Sequence, residues 1–167
     1  MNTLTQYSNL SILQHLLPED QELLLSMAEE VAFNAEEIII RDSDLSADFY
    51  VLLQGWITIE LEIADIDVSS FDADAAMNLD RSELPHKVEA TVLRAGEPFG
   101  DMAFLERKRR SADVRALTPV TALKWNADDL NTLFESNYRL GYLFMRNLAT
   151  LLARRIRDVD LKWRRAL

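Results

Sequence analysis

Residues 99–105 read Phe-Gly-Asp-Met-Ala-Phe-Leu and residues 110–112 read Arg-Ser-Ala, and these two pieces of sequence decide the fold. Gly100 allows the backbone to approach a bound molecule closely, because glycine has no Cβ. The residues after it can form one helical turn, whose free N–H groups would face an anion. Arg110 can add a charge-assisted contact to a phosphate. Together they indicate an anion site beside a polyol site. In the polyol site, the carboxylate of Asp101 would accept hydrogen bonds from a ribose hydroxyl.

The same residues also fit a purely structural role. The carboxylate of Asp101 and the guanidinium of Arg110 would then form an ion pair that fixes the segment between them, with no ligand involved. The residues alone leave both interpretations open.

The chain before this segment begins with helical patterns and continues with short strands. Pro18 separates a helix over residues 11–17 from a second helix over residues 18–31, whose apolar positions recur at helical spacing. The strand candidates are residues 38–40, 49–53, 56–61, 87–93, 114–116 and 120–125. The turn Gln54-Gly55 predicts a hairpin between the second and third of them.

The chain closes with helices. Asn126 is a suitable N-cap for the first of them, and a long helix starts near Asn137. The apolar positions of the long helix recur every three or four residues: Leu140, Phe144, Leu148, Leu152, Ile156, Val159, Trp163 and Leu167. A small domain cannot bury a stripe of this length, so we expect a homodimer through residues 137–167.

These elements predict a single α+β, mainly β, domain over residues 1–167. N-terminal helices occupy about residues 1–32, an antiparallel jelly roll or barrel occupies residues 33–125, and C-terminal helices occupy residues 126–167. The acidic stretch 64–86 reads as an insertion in the barrel. It lacks the glycine and the terminal Glu of a calcium-binding loop, so no metal site is predicted there.

Composition narrows the class of protein. The chain has no cysteine and a net charge of −10, which excludes disulfides and argues against a surface that binds nucleic acid throughout. There is no signal peptide and no apolar run long enough to cross a membrane, so a cytoplasmic protein is expected. His15 and His86 lie far from residues 99–112 in sequence, and no pairing of a nucleophile with a base is apparent, so an enzyme is not expected.

Residues 99–116 resemble the phosphate-binding cassette of the cyclic nucleotide-binding domain family. That family shows Phe-Gly-Glu, then a small or apolar run such as Leu-Ala-Leu, then Pro-Arg-Ala-Ala-Thr or Arg-Ser-Ala. Residues 33–55 are similar to the family's first hairpin, and Ala153-Arg154-Arg155-Ile156 resembles the hinge and dimer helices of the catabolite activator protein group. The resemblance implies a sensor domain without catalytic residues or a cofactor.

The resemblance also implies a ligand and a set of contacts. Arg110 would pair with the cyclic phosphate of cAMP or cGMP, Asp101 would take the ribose, and the long helix would cover the purine. The implied ligand-binding residues are Phe99, Gly100, Asp101, Met102, Ala103, Arg110, Ser111, Ala112, Val159 and Asp160.

The chain departs from the family at five positions, one of which is Arg109, where many members have Pro. Asp101 is one methylene shorter than the usual Glu, and Glu36 and Ser43 replace glycines of the first hairpin. Asp113 stands where many members have Thr, and an unpaired carboxylate there would repel an anionic ligand. We expect Arg109, Lys108 or Arg115 to neutralise it.

Two functions fit the sequence. The first is a regulatory domain that binds a cyclic nucleotide, with cAMP favoured, and signals through its C-terminal helix to an output protein that the sequence does not name. The alternative is a degenerate domain that serves in dimerisation or protein interaction. The DNA-binding module of the related transcription factors would begin after the long helix, where this sequence ends, so we expect no DNA binding by this chain alone.

Overall fold

The computed structural model describes Tyr7 and the ranges 9–62 and 87–166. The helices in these ranges are α1 Pro18–Ser26, α2 Asp101–Glu106, α3 Ala127–Ser136 and α4 Tyr138–Ala166, with a short 3-10 helix at Ser11–Leu13. The strands are β1 Glu29–Phe33, β2 Ile38–Ile40, β3 Phe49–Gln54, β4 Trp56–Glu62, β5 Lys87–Arg94, β6 Pro98–Phe99, β7 Asp113–Ala116 and β8 Val120–Trp125. The acidic insertion at 64–86 lies outside the described residues.

The strands form two antiparallel sheets that face each other. One has the order β1-β8-β3-β6 and the other the order β2-β7-β4-β5. One apolar core lies between the sheets, and a second lies between the first sheet and the helices. The mainly β, jelly-roll α+β fold predicted from the sequence is confirmed.

The predicted hairpin around Gly55 is wrong, because β3 and β4 belong to different sheets. Four successive residues of β3, 49–52, are buried, since one face of the strand meets the helices and the other meets the opposite sheet. The chain therefore crosses from one sheet to the other at Gly55, where φ is +91°. A Cβ on Gly55 would lie 2.4 Å from the carbonyl oxygen of Pro119, so only glycine fits this crossing.

The second predicted helix is shorter than residues 18–31. It ends at Ser26, and residues 29–33 form β1, in which Val31 lies opposite Ala122 of β8. Val31 and Phe33 pack against the core between the sheets, so a period of two residues replaces the helical period at this point. Backbone pairing with a distant strand decides the structure here, and no local pattern reveals it.

The C-terminal helices match the expectation in their inner part. The side chain of Asn126 accepts hydrogen bonds from the backbone N–H groups of Asp128 and Asp129 and so caps α3. Leu140, Phe144 and Leu148 of α4 are fully buried, whereas Ile156 is 64% exposed. No helix among the described residues is both long enough and apolar enough to span a bilayer.

Glu36 and Ser43, which stand in place of family glycines, keep the backbone conformation that glycine favours. Their φ angles are +67° and +62°, in the left-handed region. The turns therefore have the expected shape despite carrying side chains.

Candidate functional site

The candidate site is built on the turn between β6 and α2. Gly100 has φ +72° and ψ +8° and directly precedes α2, which starts at Asp101 as the sequence predicts. A Cβ at position 100 would lie 2.8 Å from Nη1 of Arg110 and 2.8 Å from the carbonyl oxygen of Asp48. Both the backbone conformation and the close approach of the arginine therefore require glycine here.

Arg110 lies behind this turn and is only 4% exposed. Its Nη1 donates to the carbonyl oxygen of Gly100 at 3.0 Å, and its Nη2 donates to that of Asp48 at 2.9 Å. Its Nε and Nη2 both donate to Oγ of Ser46 at 3.3 Å. Burial lowers the pKa of the guanidinium from its ordinary value, while Tyr50 and the carboxylates around it act in the opposite direction. The cation is thus held in a fixed orientation by protein acceptors.

Asp101 does not pair with Arg110, so the structural alternative drawn from the sequence is wrong. Its carboxylate is 6% exposed and lies 3.4 Å from Nη1 of Arg155, a residue of α4. Arg155 also donates from Nη2 to the carbonyl oxygen of Pro98. Its Nε is buried and has no hydrogen-bond partner among the described residues.

The cassette residues and Arg155 surround one small cavity of about 70 Å³. The lining residues that the sequence predicted are Gly100, Asp101, Met102, Ala103, Arg110, Ser111 and Ala112. Those that it missed are Ile40, Ile59, Val114 and Arg155. Pockets that enclose ligands of drug size measure about 300–1,000 Å³. The cavity is therefore too small for such a ligand in this conformation, and Arg155 forms part of its lining.

Three predicted ligand contacts are not among the lining residues. Phe99 is fully buried and stacks on Tyr50, with ring centroids 4.8 Å apart, so it supports the turn from the core and does not face the cavity. Val159 and Asp160 belong to α4, but their side chains lie outside the described part of the chain. The pattern Phe-Gly-Asp locates the turn correctly but does not say which side of it faces the ligand.

Asp113 does not oppose an anion in this cavity. Val114 lines the cavity, and strand alternation turns its neighbour Asp113 to the opposite face of β7. There the carboxylate forms an ion pair with Lys87 and accepts a hydrogen bond from the backbone N–H of Asp42 at 2.6 Å. Burial alone would raise the pKa of Asp113, but these two donors lower it overall.

Lys87, which was not among the expected residues, pairs with Asp113, although the charge of Arg115 also lowers the pKa of this carboxylate. Arg115 bonds instead to Glu60, at 3.0 Å, and the side chain of Arg109 donates to the carbonyl oxygen of Ser43. Lys108 pairs with Glu106. Lys87 lies 26 residues before Asp113, on β5, and only the pairing of both strands with β4 brings the two together.

Known proteins resemble this chain at the level of the sequence and of the fold. The model of the family described as cyclic nucleotide-binding domain matches residues 78–137. Glutaminase 1 of Bradyrhizobium diazoefficiens is 44% identical over 73 residues, which are 44% of this chain and 12% of that protein. The chain thus covers a small part of the length of this relative.

Two solved structures share the fold over most of the chain. The catabolite activator protein of Thermus thermophilus superposes with a TM-score of 0.66 at 24% identity, over 92% of this chain and 61% of that one. A cyclic nucleotide-binding domain from Methylobacillus flagellatus superposes with a TM-score of 0.74 at 18% identity, over 92% and 79% of the two chains. At these identities the likeness concerns the fold alone.

Proposed function

We propose that this chain is a cytoplasmic regulatory domain of the cyclic nucleotide-binding family, whose model matches residues 78–137, and that it binds cAMP beside Arg110 and signals through α4. It would have no catalytic activity of its own. The observation that carries the proposal is the arrangement of Gly100, Asp101 and Arg110 around one cavity. The cavity therefore combines a cation, a carboxylate and a glycine that lets a ligand come close to the backbone.

The cavity offers groups suited to the phosphate and the ribose of a cyclic nucleotide. The guanidinium of Arg110 can donate to the anionic cyclic phosphate, because its fork of N–H groups matches phosphate oxygens. The carboxylate of Asp101 can accept a hydrogen bond from the ribose hydroxyl. Ile40, Ile59 and Val114 provide an apolar wall.

Signalling would follow from the position of Arg155. A ribose that takes Asp101 as its acceptor competes with Arg155, which now lies 3.4 Å from that carboxylate. A cavity of about 70 Å³ has no room for a nucleotide unless Arg155 and its stretch of α4 move. The Nε of Arg155, which is buried and has no acceptor among the described residues, could then donate to the ligand in the new position. Such differential contacts shift the equilibrium between two positions of α4.

We also propose a homodimer through α4. Tyr142, Met145 and Ile156 are exposed on this helix, and with Ala149 and Leu152 they follow the alternating steps of three and four residues that are typical of paired helices. Sedimentation of the double variant Tyr142→Glu/Ile156→Glu tests the dimer. A dimer that persists in this variant would show that another surface pairs the two copies.

Isothermal calorimetry of the intact chain with cAMP, cGMP and 5′-AMP tests the ligand. We expect cAMP to bind with micromolar affinity, and 5′-AMP to bind at least tenfold more weakly, because its open phosphate has a different shape and charge. No heat from either cyclic nucleotide at high micromolar concentration, with the chain folded, would overturn the proposal.

One observation favours the second function, a dimerisation or interaction module that has lost its ligand. Each nitrogen of the Arg110 guanidinium already has a protein acceptor, so the site is satisfied without a nucleotide. Under this function Arg110→Lys would alter stability only. Deletion of residues 64–86, by contrast, would abolish an interaction with the output partner.

A further inference from the structure

A second cavity, of about 530 Å³, shares no lining residue with the cavity of the cassette. It is a groove between the short 3-10 helix with its following turn and the inner half of α4. Arg146, Thr150 and Arg154 lie along one wall, at successive turns of α4, and Ser11 and His15 lie on the other. We call it the Arg146–Arg154 groove.

The groove is cationic in a strongly acidic chain. None of its lining residues is a carboxylate, and neither Arg146 nor Arg154 has an ion pair within the part of the chain that the structure describes. The next cation along α4 in each direction does have one: Arg139 pairs with Asp20 at 2.8 Å, and Arg155 with Asp101. The first acidic residue of the sequence is Glu19, so the segment that forms the second wall brings no carboxylate of its own.

The two walls are held together before any ligand arrives. Asn147 is buried between them and donates from Nδ2 to the carbonyl oxygens of Ile12, at 3.0 Å, and Gln14, at 2.7 Å. Ile12 and Leu148 are fully buried beside it in the helical core. The guanidinium of Arg146 lies 6.0 Å from the ring centroid of Tyr142, which limits its freedom. The backbone of the two walls therefore needs little ordering on binding, whereas the exposed side chains of Arg146 and Arg154 would still become ordered.

We propose that the Arg146–Arg154 groove binds a small, multiply charged phosphate. Two guanidinium groups supply planar forks of donors that match phosphate oxygens, and the hydroxyl of Ser11 and the ring of His15 can add further donors. The volume of the groove falls within the range of about 300–1,000 Å³ that small-molecule sites occupy. Leu143 and Leu151 give it an apolar side suited to a ligand with an organic part.

The groove is a different site from the cassette, but the same helix serves both. Arg154 lines the groove and its neighbour Arg155 lines the cassette cavity. A phosphate bound to Arg154 holds this stretch of α4 against the N-terminal wall. Occupation of the groove therefore opposes any movement of α4 that carries Arg155 away from Asp101.

Nuclear magnetic resonance of the intact ¹⁵N-labelled chain with sodium pyrophosphate, at constant ionic strength, tests the groove. We expect shifts concentrated at His15, Arg146 and Thr150. The variant Arg146→Gln/Arg154→Gln should bind at least tenfold more weakly. The matched control is Arg41→Gln/Arg94→Gln, which removes the same charge from two exposed arginines and should bind as the unchanged chain does.

Two results would overturn the inference. The first is an equal loss of affinity in both double variants, because general charge attraction would then account for the binding. The second is a set of shifts confined to Gly100 and Ala112, because pyrophosphate would then occupy only the cassette. A parallel titration with citrate tests the ligand class, and tighter binding of citrate at the groove would exclude a phosphate preference. None of these outcomes depends on cAMP, so failure here leaves the proposed function standing.

Discussion

Arg110 and Arg155 both face the cavity of the cassette, but the two regions that carry them hold them in opposite ways. Arg110 belongs to the loop between α2 and β7, and each of its guanidinium nitrogens donates to a protein acceptor. Arg155 belongs to the outer half of α4, and its Nε is buried without a partner in the part of the chain that the structure describes. One cation is fixed by its surroundings, whereas the other is incompletely satisfied.

This difference separates the part of the site that recognises a ligand from the part that responds to it. A buried donor without an acceptor costs about 1–3 kcal/mol, so we expect α4 to move more readily at Arg155 than the cassette does at Arg110. Arg110, in contrast, gains nothing by moving. Substitutions in the cassette should therefore change affinity and stability together, and substitutions in α4 should change the response with little effect on stability.

The largest effect is expected from Arg110→Met. The carbonyl oxygens of Gly100 and Asp48 and the hydroxyl of Ser46 lose their donor, so the free energy of unfolding should fall by about 2–4 kcal/mol. Affinity for cAMP should fall at least about 100-fold, which corresponds to about 3 kcal/mol. Urea unfolding and calorimetry measure the two effects. Arg110→Lys keeps the positive charge but removes the paired N–H donors of the guanidinium. If this variant binds cAMP as tightly as the unchanged chain does, the role given to bidentate donation is contradicted.

Next in size is Gly100→Ala. The new Cβ would meet Nη1 of Arg110 and the carbonyl oxygen of Asp48, each at 2.8 Å, so we expect a loss of about 2–3 kcal/mol of stability. Gly96→Ala is the matched control, because Gly96 has φ +89° but nothing within 4 Å of the added atom. It should lose only about 1 kcal/mol from backbone strain. Similar urea midpoints for the two variants would show that the close approach of Arg110 is unimportant.

We expect Arg155→Gln to have a smaller effect on stability. It should also make the backbone of α4 around residue 155 more mobile. The side chain is partly exposed and makes two contacts, so unfolding should change by less than about 1 kcal/mol. Amide hydrogen exchange in residues 150–158 should become faster, because the tie from α4 to Asp101 is lost. If exchange there stays as slow as in the unchanged chain, Arg155 does not hold the outer half of α4.

The smallest effect concerns the outer face of β7, where Asp113 pairs with Lys87. The folded state lowers the pKa of Asp113, so the carboxylate contributes stability that is complete above the unfolded pKa. That contribution is lost as the pH falls through the folded value, below about pH 4. Asp113→Asn should therefore flatten the acid side of the profile of urea midpoint against pH, with no change in cAMP affinity. An altered affinity would place Asp113 in the ligand site after all.

The cassette was predictable because its chemistry is local. Gly100, Asp101 and Arg110 lie within 11 residues of sequence, and a turn, a helix start and a cation can be derived from them in order. The long helix was predictable for a similar reason, since its buried positions follow a helical period. Local patterns thus gave most of the elements, and together with the resemblance to the cyclic nucleotide-binding family they gave seven of the residues that line the cavity.

The errors concern contacts between distant parts of the chain. The partner of Asp113 is on β5, and that of Asp101 is on α4, 54 residues away. Whether β3 and β4 form a hairpin depends on β8, which takes β3 into the other sheet. A single sequence carries no signal for which of several charged residues will lie opposite a given carboxylate, because opposite charges at many positions fit equally well.

The strand β8 has a consequence for how the chain reaches this structure during synthesis. It lies between β1 and β3 in its sheet, and the pair Val31 and Ala122 closes a loop of about 90 residues. Neither β1 nor β3 has that neighbour until Val120–Trp125 has left the ribosome, so residues 49–52 of β3, which are buried in the folded chain, remain uncovered until then. Contacts between such distant residues make folding slow and leave the nascent chain open to aggregation. Expression at a lower rate of synthesis, or with a holding chaperone, is therefore the route to soluble protein.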